Sequence, residues 1–304
     1  MDKPCCRSCG AGIPDQSIRA DFVYGGKQEH KFWQCALCGL VYLWPAPSEE
    51  DEKKFYAQEF EKYMSSRAGG DKDWSGPELH IKTNQDNVKR RLRFLSRELS
   101  KGKDILEIGC SSGFMMDAFK ESGLNTVGIE PSQKFSDFLK QRGHVTFNSL
   151  EELKQKMPSQ KFDLIVHFFV LEHIRNTEKF LREQLDMLKP GGKIIAEVPC
   201  VNDPLTSVYK IPAFEKFYWS IAHHYYFNPK SLTYILKKLK CQYEFFPEQR
   251  YDISNHLVWM LEGKPGGQKR FNNIFSEETV NSYCEDLKKT WNCDTFFVYI
   301  KKTD

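Results

Sequence analysis

Between residues 101 and 200 short apolar runs alternate with stretches whose apolar positions recur three and four residues apart. The runs near 104–108, 126–130, 145–147, 162–168 and 193–198 are rich in Ile, Leu, Val and Phe and too short for stable helices. The stretches 114–122, 132–142, 150–156 and 177–188 have the amphipathic period of helices. This order predicts an α/β fold with a doubly wound parallel sheet, helices lying on both faces. From Pro199 to Phe227 the chain is aromatic and aperiodic, which predicts loops or short helices capping the carboxyl ends of the strands, where open α/β sheets bind ligands. Asn228-Pro229 supplies an N-cap and a first-turn proline for a helix, and strands near 242–247 and 294–301 complete the sheet. The stretch Asn255 to Gly267 reads as a packed strand followed by a surface turn.

Upstream of the sheet, one helix is expected from about Leu79 to Leu99, with Lys89-Arg-Arg-Leu-Arg93 as a solvated basic face. Before it, residues 49–66 carry Phe55, Tyr56, Phe60 and Tyr63 at helical spacing, and Arg67 to Asp73 reads as a flexible connection. The expected divisions are a small metal-binding ribbon over 1–47, a helical linker or lid over 48–100, and a core over 101–304 with a cap at about 199–227 and an insertion at about 252–292.

The 304 residues are 40% apolar, enough for one large core with a smaller appendage. A net charge of +3 lacks the strong positive field of a general polyanion binder. No run is long and apolar enough for a membrane span, and Met1-Asp-Lys-Pro opens no signal peptide, so the reading is of a cytoplasmic protein. In a reducing compartment the ten cysteines point to metal before disulfides. Cys6-Arg-Ser-Cys9-Gly and Cys35-Ala-Leu-Cys38-Gly stand 25 residues apart, the pairing of two knuckles around one tetrahedral ion, with zinc the default. Cys5 competes with Cys6 for the first position, and the equal spacing of the knuckles favours Cys6. Cys110, Cys200, Cys241, Cys284 and Cys293 read as core packing.

The most specific stretch is Asp104-Ile-Leu-Glu107-Ile-Gly109-Cys110-Ser-Ser-Gly113, a strand entering a glycine turn that opens a helix. Glu130 follows Gly109 by 21 positions, at the end of the next strand, where a carboxylate suits the two hydroxyls of a ribose. Glu107 would repel a phosphate and attract an ammonium. On these residues the chain resembles the class I S-adenosylmethionine-dependent methyltransferases, whose first motif is E-x-G-x-x-x-G. Phe162 to His173, ending Val-Leu-Glu172-His173, and Leu188-Lys-Pro-Gly-Gly to Glu197 resemble that family's later segments, so the likeness covers about 101–240. It implies a Rossmann-like sheet, S-adenosyl-L-methionine as cofactor, and cofactor contacts from Glu107, Gly109, Cys110, Gly113 and Glu130. His167, just past the fourth strand, is expected to contact cofactor or substrate, and Tyr63 to cover the sulfonium with its aromatic face.

The order of cysteine ribbon, aromatic helix, core and aromatic cap is similar to zinc-ribbon methyltransferases of sugar and polysaccharide pathways, including C-methyltransferases of nucleotide-linked deoxysugars. Those carry a Glu-His pair in the cap; here Ala222 stands in the glutamate's place and His223 matches the histidine. The resemblance therefore makes O-methylation at least as consistent as C-methylation, with His223 the candidate general base. Ubiquinone-pathway O-methyltransferases have E-x-x-E-H where this chain has Phe169 to His173, and Phe169 in place of the first glutamate leaves no catalytic divalent ion expected. The expected partner is a small-molecule, sugar-linked acceptor. A zinc-ribbon RNA methyltransferase and a non-catalytic binding protein stay open as alternatives; the modest charge and aromatic cap speak against nucleic acid, the intact glycine turn against lost catalysis.

Overall fold

A computed structural model describes residues 4–55, 63 and 76–303. The chain divides into two compact units: the first takes residues 1–46, 171–178 and 197–298, the second 47–170, 179–196 and 299–304.

The strands in chain order are β1 (Gln16–Ala20), β2 (Lys31–Cys35), β3 (Val41–Trp44), β4 (Asp104–Ile108), β5 (Asn125–Ile129), β6 (Val145–Phe147), β7 (Phe162–Phe168), β8 (Leu188–Pro199), β9 (Tyr225–Tyr226), β10 (Cys241–Glu248) and β11 (Thr295–Lys302). They form a seven-stranded sheet of order β10-β11-β8-β7-β4-β5-β6 and a four-stranded sheet of order β1-β2-β3-β9. In the second unit β4 runs parallel to both β5 and β7, and β5 parallel to β6. The central β4 is buried at Ile105, Leu106 and Ile108, which fits its unbroken apolar reading. Helices Phe114–Glu121, Gln133–Gln141, Leu150–Lys156 and Thr177–Met187 stand where the period places them.

Two elements differ from expectation. The helix over 79–99 is two helices, Pro77–Thr83 and Gln85–Leu95, broken at Asn84, whose side-chain amide donates to His80 O at 2.8 Å and competes with the backbone ladder. Its basic face is solvated only in part: Lys89 and Arg93 are exposed, whereas Arg90 and Arg91 are buried, and the Arg91 guanidinium lies 4.2 Å from the Phe168 ring centroid. Residues Ile253–Glu262 form a helix rather than a strand, begun by Asp252 Oδ1 accepting from Asn255 N at 2.8 Å and burying Asn255, His256 and Trp259 on one face. Tyr56, Phe60 and the stretch 67–73 lie outside the described residues; Tyr63 is described and its ring packs on Phe55 at 5.2 Å.

In the first unit the ribbon and the aromatic segment after β8 share one core. Strand β3 pairs antiparallel with β9, Val41 opposite Tyr226 and Tyr42 opposite Tyr225. Phe32, Leu43, Trp219 and Tyr226 are buried together, with the Trp219 and Tyr226 rings 4.9 Å apart. The helix Pro229–Lys238 opens as its sequence predicts: Asn228 Oδ1 accepts from Ser231 N at 2.8 Å, and Ser231 Oγ accepts from Asn228 N at 3.0 Å. The same Asn228 side chain donates to Gly39 O, tying this helix start to the second cysteine knuckle.

Candidate functional site

Strand β4 delivers Glu107, 3% exposed, to the mouth of the glycine turn. Gly109 N and Cys110 N both donate to Ile129 O, at 2.8 and 3.1 Å, so the turn is fastened to the end of β5. Gly109 has φ +74° and a Cβ there would lie 2.6 Å from Val170 Cγ2; Gly113 has φ +80° and its Cβ would lie 2.3 Å from Leu139 Cδ2. Both positions therefore demand glycine for conformation and for packing. Glu130 bridges the ends of β4 and β5: its Oε2 accepts from Ser111 N at 2.7 Å and its Oε1 from Ser132 N at 2.8 Å.

Glu107 is different, because its buried Oε2 has no hydrogen-bond partner. Burial raises its pKa to about 8, with the Glu130 and Asp117 charges adding and Arg91 opposing. The result is a carboxyl group short of one cation. Arg91 and His80 are site residues that the sequence reading missed. The His80 Nδ1 lies 2.9 Å from Ser112 Oγ in the glycine turn, and its ring packs on Phe114 and Phe135. A signal for Arg91 existed: Val88, Arg91 and Leu95 recur at helical spacing and all three are buried.

His167 lies within β7 rather than past it, wholly buried, its ring 5.6 Å from that of Phe180. Neither ring nitrogen has a partner, and desolvation lowers its pKa to about 3. A depressed histidine pKa gives stability that is complete above the unfolded value near 6.5 and is lost as pH falls from there toward 3, because only the unfolded chain takes the proton. Between pH 7 and 5 this group alone is expected to remove about 2 kcal/mol. His167→Phe should flatten that part of the pH dependence in urea unfolding; an unchanged slope would show that His167 does not stay neutral.

In the first unit, the turn Leu171–His173 and the segment before β9 bring Glu172, His173 and His223 together, with one ligand atom from each within 4.8 Å of the others. His173 Nδ1 donates to Ala222 O at 2.7 Å, and the His173 and His223 rings meet edge to face at 4.7 Å. Neighbouring His224 serves the fold instead, since it is buried, its N–H donates to Glu172 O at 2.8 Å and its carbonyl accepts from Leu43 N at 2.9 Å. The four cysteines Cys6, Cys9, Cys35 and Cys38 also converge, with Cys6 and Cys38 sulfurs 3.5 Å apart and Cys9 and Cys35 sulfurs 3.5 Å apart. Four thiolates on one tetrahedral ion at Zn–S ≈ 2.3 Å would stand about 3.8 Å apart, so the set fits zinc. Cys5 is exposed and outside the group. The thiols also compete for charge: the Cys38 thiol hydrogen bond holds Cys6 down to about 5, and the same bond pushes Cys38 up.

Residues 80–244, more than half of the chain, match the methyltransferase-domain family, and the chain belongs to that family. Among its relatives, a ubiquinone biosynthesis O-methyltransferase of Coxiella burnetii is 25% identical over 128 residues, 40% of this chain and 55% of that protein. The chain thus spans about half the length of that relative. An uncharacterised methyltransferase of Anoxybacillus flavithermus is 26% identical over 169 residues, 53% of this chain and 77% of that protein. The fold is also that of magnesium protoporphyrin IX methyltransferase from Synechocystis PCC 6803, solved with SAH bound: TM-score 0.50, 12% identity, covering 84% of this chain and 99% of that one. Among the described residues no helix is long and apolar enough to cross a membrane.

Proposed function

We propose that the protein transfers a methyl group from S-adenosyl-L-methionine to a small-molecule acceptor, a sugar or nucleotide-linked sugar of polysaccharide or natural-product synthesis. The observation that carries the cofactor assignment is Glu107, a wholly buried carboxyl whose Oε2 lacks a partner, at the mouth of a glycine turn that Glu130 ties to the next strand. An amino-acid ammonium satisfies that oxygen, and Glu130, at the end of the next strand, is the proposed partner of the ribose hydroxyls. When bound, the cofactor supplies an activated methyl group: the acceptor's oxygen bonds the methyl carbon as the carbon–sulfur bond breaks, its electron pair staying on sulfur. The protein itself orients the two reactants, excludes water and removes the acceptor's proton. Tyr63 is the proposed aromatic cover for the sulfonium, and loss of the acceptor's proton is assigned to the cluster containing His223. The four cysteines hold a structural zinc, since a closed set of four thiolates leaves no position for a substrate.

Titration calorimetry tests the cofactor site. Because Glu107 is mostly protonated at pH 7 when empty, pairing it with an ammonium should release up to about one proton per S-adenosylhomocysteine bound, read as a dependence of the heat on buffer ionisation enthalpy. The release should fade as pH rises through 8 and vanish in Glu107→Gln. Glu130→Ala should weaken binding by ~1.5–3 kcal/mol for each charge-assisted hydrogen bond lost. Tighter binding of NAD than of S-adenosylhomocysteine would overturn the assignment.

A further inference from the structure

The cluster of Glu172, His173 and His223 has three properties that an acid–base group by itself does not need. First, Glu172 is 0% exposed and neither carboxylate oxygen has a hydrogen-bond partner from another residue, while the nearby buried Glu197 adds a second negative charge. A charge buried in that way is held either protonated or beside a cation. Second, the His173 Nδ1 donates its proton to the Ala222 carbonyl, so Nε2 carries the lone pair. That is the arrangement of a metal-bound imidazole, whose other nitrogen is fixed by a carbonyl or carboxylate. Third, the burial is graded: Glu172 is buried, whereas His173 and His223 are half-buried. Three protein ligands with one side open describe a catalytic ion, in contrast to the closed set of four cysteines.

Contrary to the expectation drawn from Phe169, we infer that Glu172, His173 and His223 form a second divalent-cation site, of two imidazoles and one carboxylate, whose open position takes the acceptor's hydroxyl oxygen. The donor set selects zinc or a neighbouring transition-metal ion over magnesium or calcium, which take oxygen ligands. Ligand atoms 2.0–2.2 Å from one ion stand about 3–4 Å apart, so ligand atoms that lie within 4.8 Å of one another close by about 1–2 Å at most when the ion enters. A hydroxyl bound to the ion loses its proton to solvent water near neutral pH; its oxygen then bonds the methyl carbon while the carbon–sulfur bond breaks and sulfur keeps the pair. His223 acts here as a ligand. The inference rests on the reading of this cluster as the centre of acceptor activation and states the means.

The test is a titration of the full-length protein, its ribbon loaded with zinc, with cobalt(II), followed by visible absorption and by metal analysis. The expected result is one additional ion per chain with ligand-field bands and no thiolate charge-transfer band, which separates it from displacement at the cysteines. Glu172→Gln, His173→Gln and His223→Gln should each weaken it by ~100-fold or more, beyond the ~10–100-fold that an outer-sphere partner is worth. Glu172→Gln nearly preserves volume, and each variant's circular dichroism and S-adenosylhomocysteine affinity report whether the fold is intact. Cobalt bands of thiolate character alone, or a second ion bound equally by all three folded variants, overturn the inference. If no second ion binds and His223→Gln still loses turnover, the cation falls while the cluster keeps its role; if the ion binds and turnover survives loss of His223, the site stands and the activation role falls.

Discussion

Replacing His223 by alanine is expected to lower methyl transfer by ~10²–10⁴-fold, the range of a lost proton-removing group, while S-adenosylhomocysteine affinity stays close to that of the native chain. Affinity is spared because the residues assigned to the cofactor are Glu107, Gly109 and Glu130 and do not include His223. The deficit should shrink as pH rises, since an acceptor that ionises unaided no longer needs the cluster. His224→Ala is the internal contrast. Its side chain is buried, so its removal should appear as lowered unfolding stability rather than as a selective loss of turnover. The measurement is steady-state turnover on nucleotide-linked sugars and sugar phosphates, with structured RNA as the competing acceptor class. Undiminished turnover in a folded His223→Ala protein would remove this residue from the chemistry.

Loss of the ribbon metal should have an effect of similar size by an indirect route. Structural zinc contributes roughly 10–16 kcal/mol of apparent binding free energy in small folded modules, and that energy is folding energy. Here the stabilised strands extend beyond the ribbon: β3 pairs with β9, Ser8 Oγ donates to Ser231 O at 2.6 Å, and Lys238 donates to Ser8 O at 2.8 Å. His223 and His224 directly precede β9. Cys35→Ser isolates this effect, because a chelator would also strip an ion from the histidine cluster. The variant should lose about one zinc and nearly all turnover, yet bind S-adenosylhomocysteine with almost native affinity in calorimetry. Native turnover in zinc-free protein would mean that the ribbon does not support the cap.

The parts of this molecule legible in its sequence are those whose signal is local. The strands β4, β6 and β7 fall where their apolar runs predict, and Asn228-Pro229 opens a helix, because a run or a cap needs only its neighbours. The helix Ile253–Glu262 reads as a strand because its apolar residues Leu257 to Leu261 form a short continuous run, which periodicity cannot assign to strand or helix. Asp252, its cap, is the cue that decides. Arg90 and Arg91 mislead for another reason: charge suggests solvent, and only the tertiary contact with Phe168 shows that an aromatic face has replaced the water. The meeting of Glu172 and His173 with His223 has no local trace, since fifty residues separate His173 from His223 and the fold closes the gap.

The pairing of β3 with β9 also bears on how freely the ribbon could move between proteins. A cut after β3 would leave Val41, Tyr42 and Leu43, all fully buried in the intact chain, on an open strand edge with unpaired amides and carbonyls. Such an edge recruits other chains. The ribbon is thus a poor candidate for exchange as a self-contained cassette, and recombination that preserved solubility would have to carry the β9 segment with it.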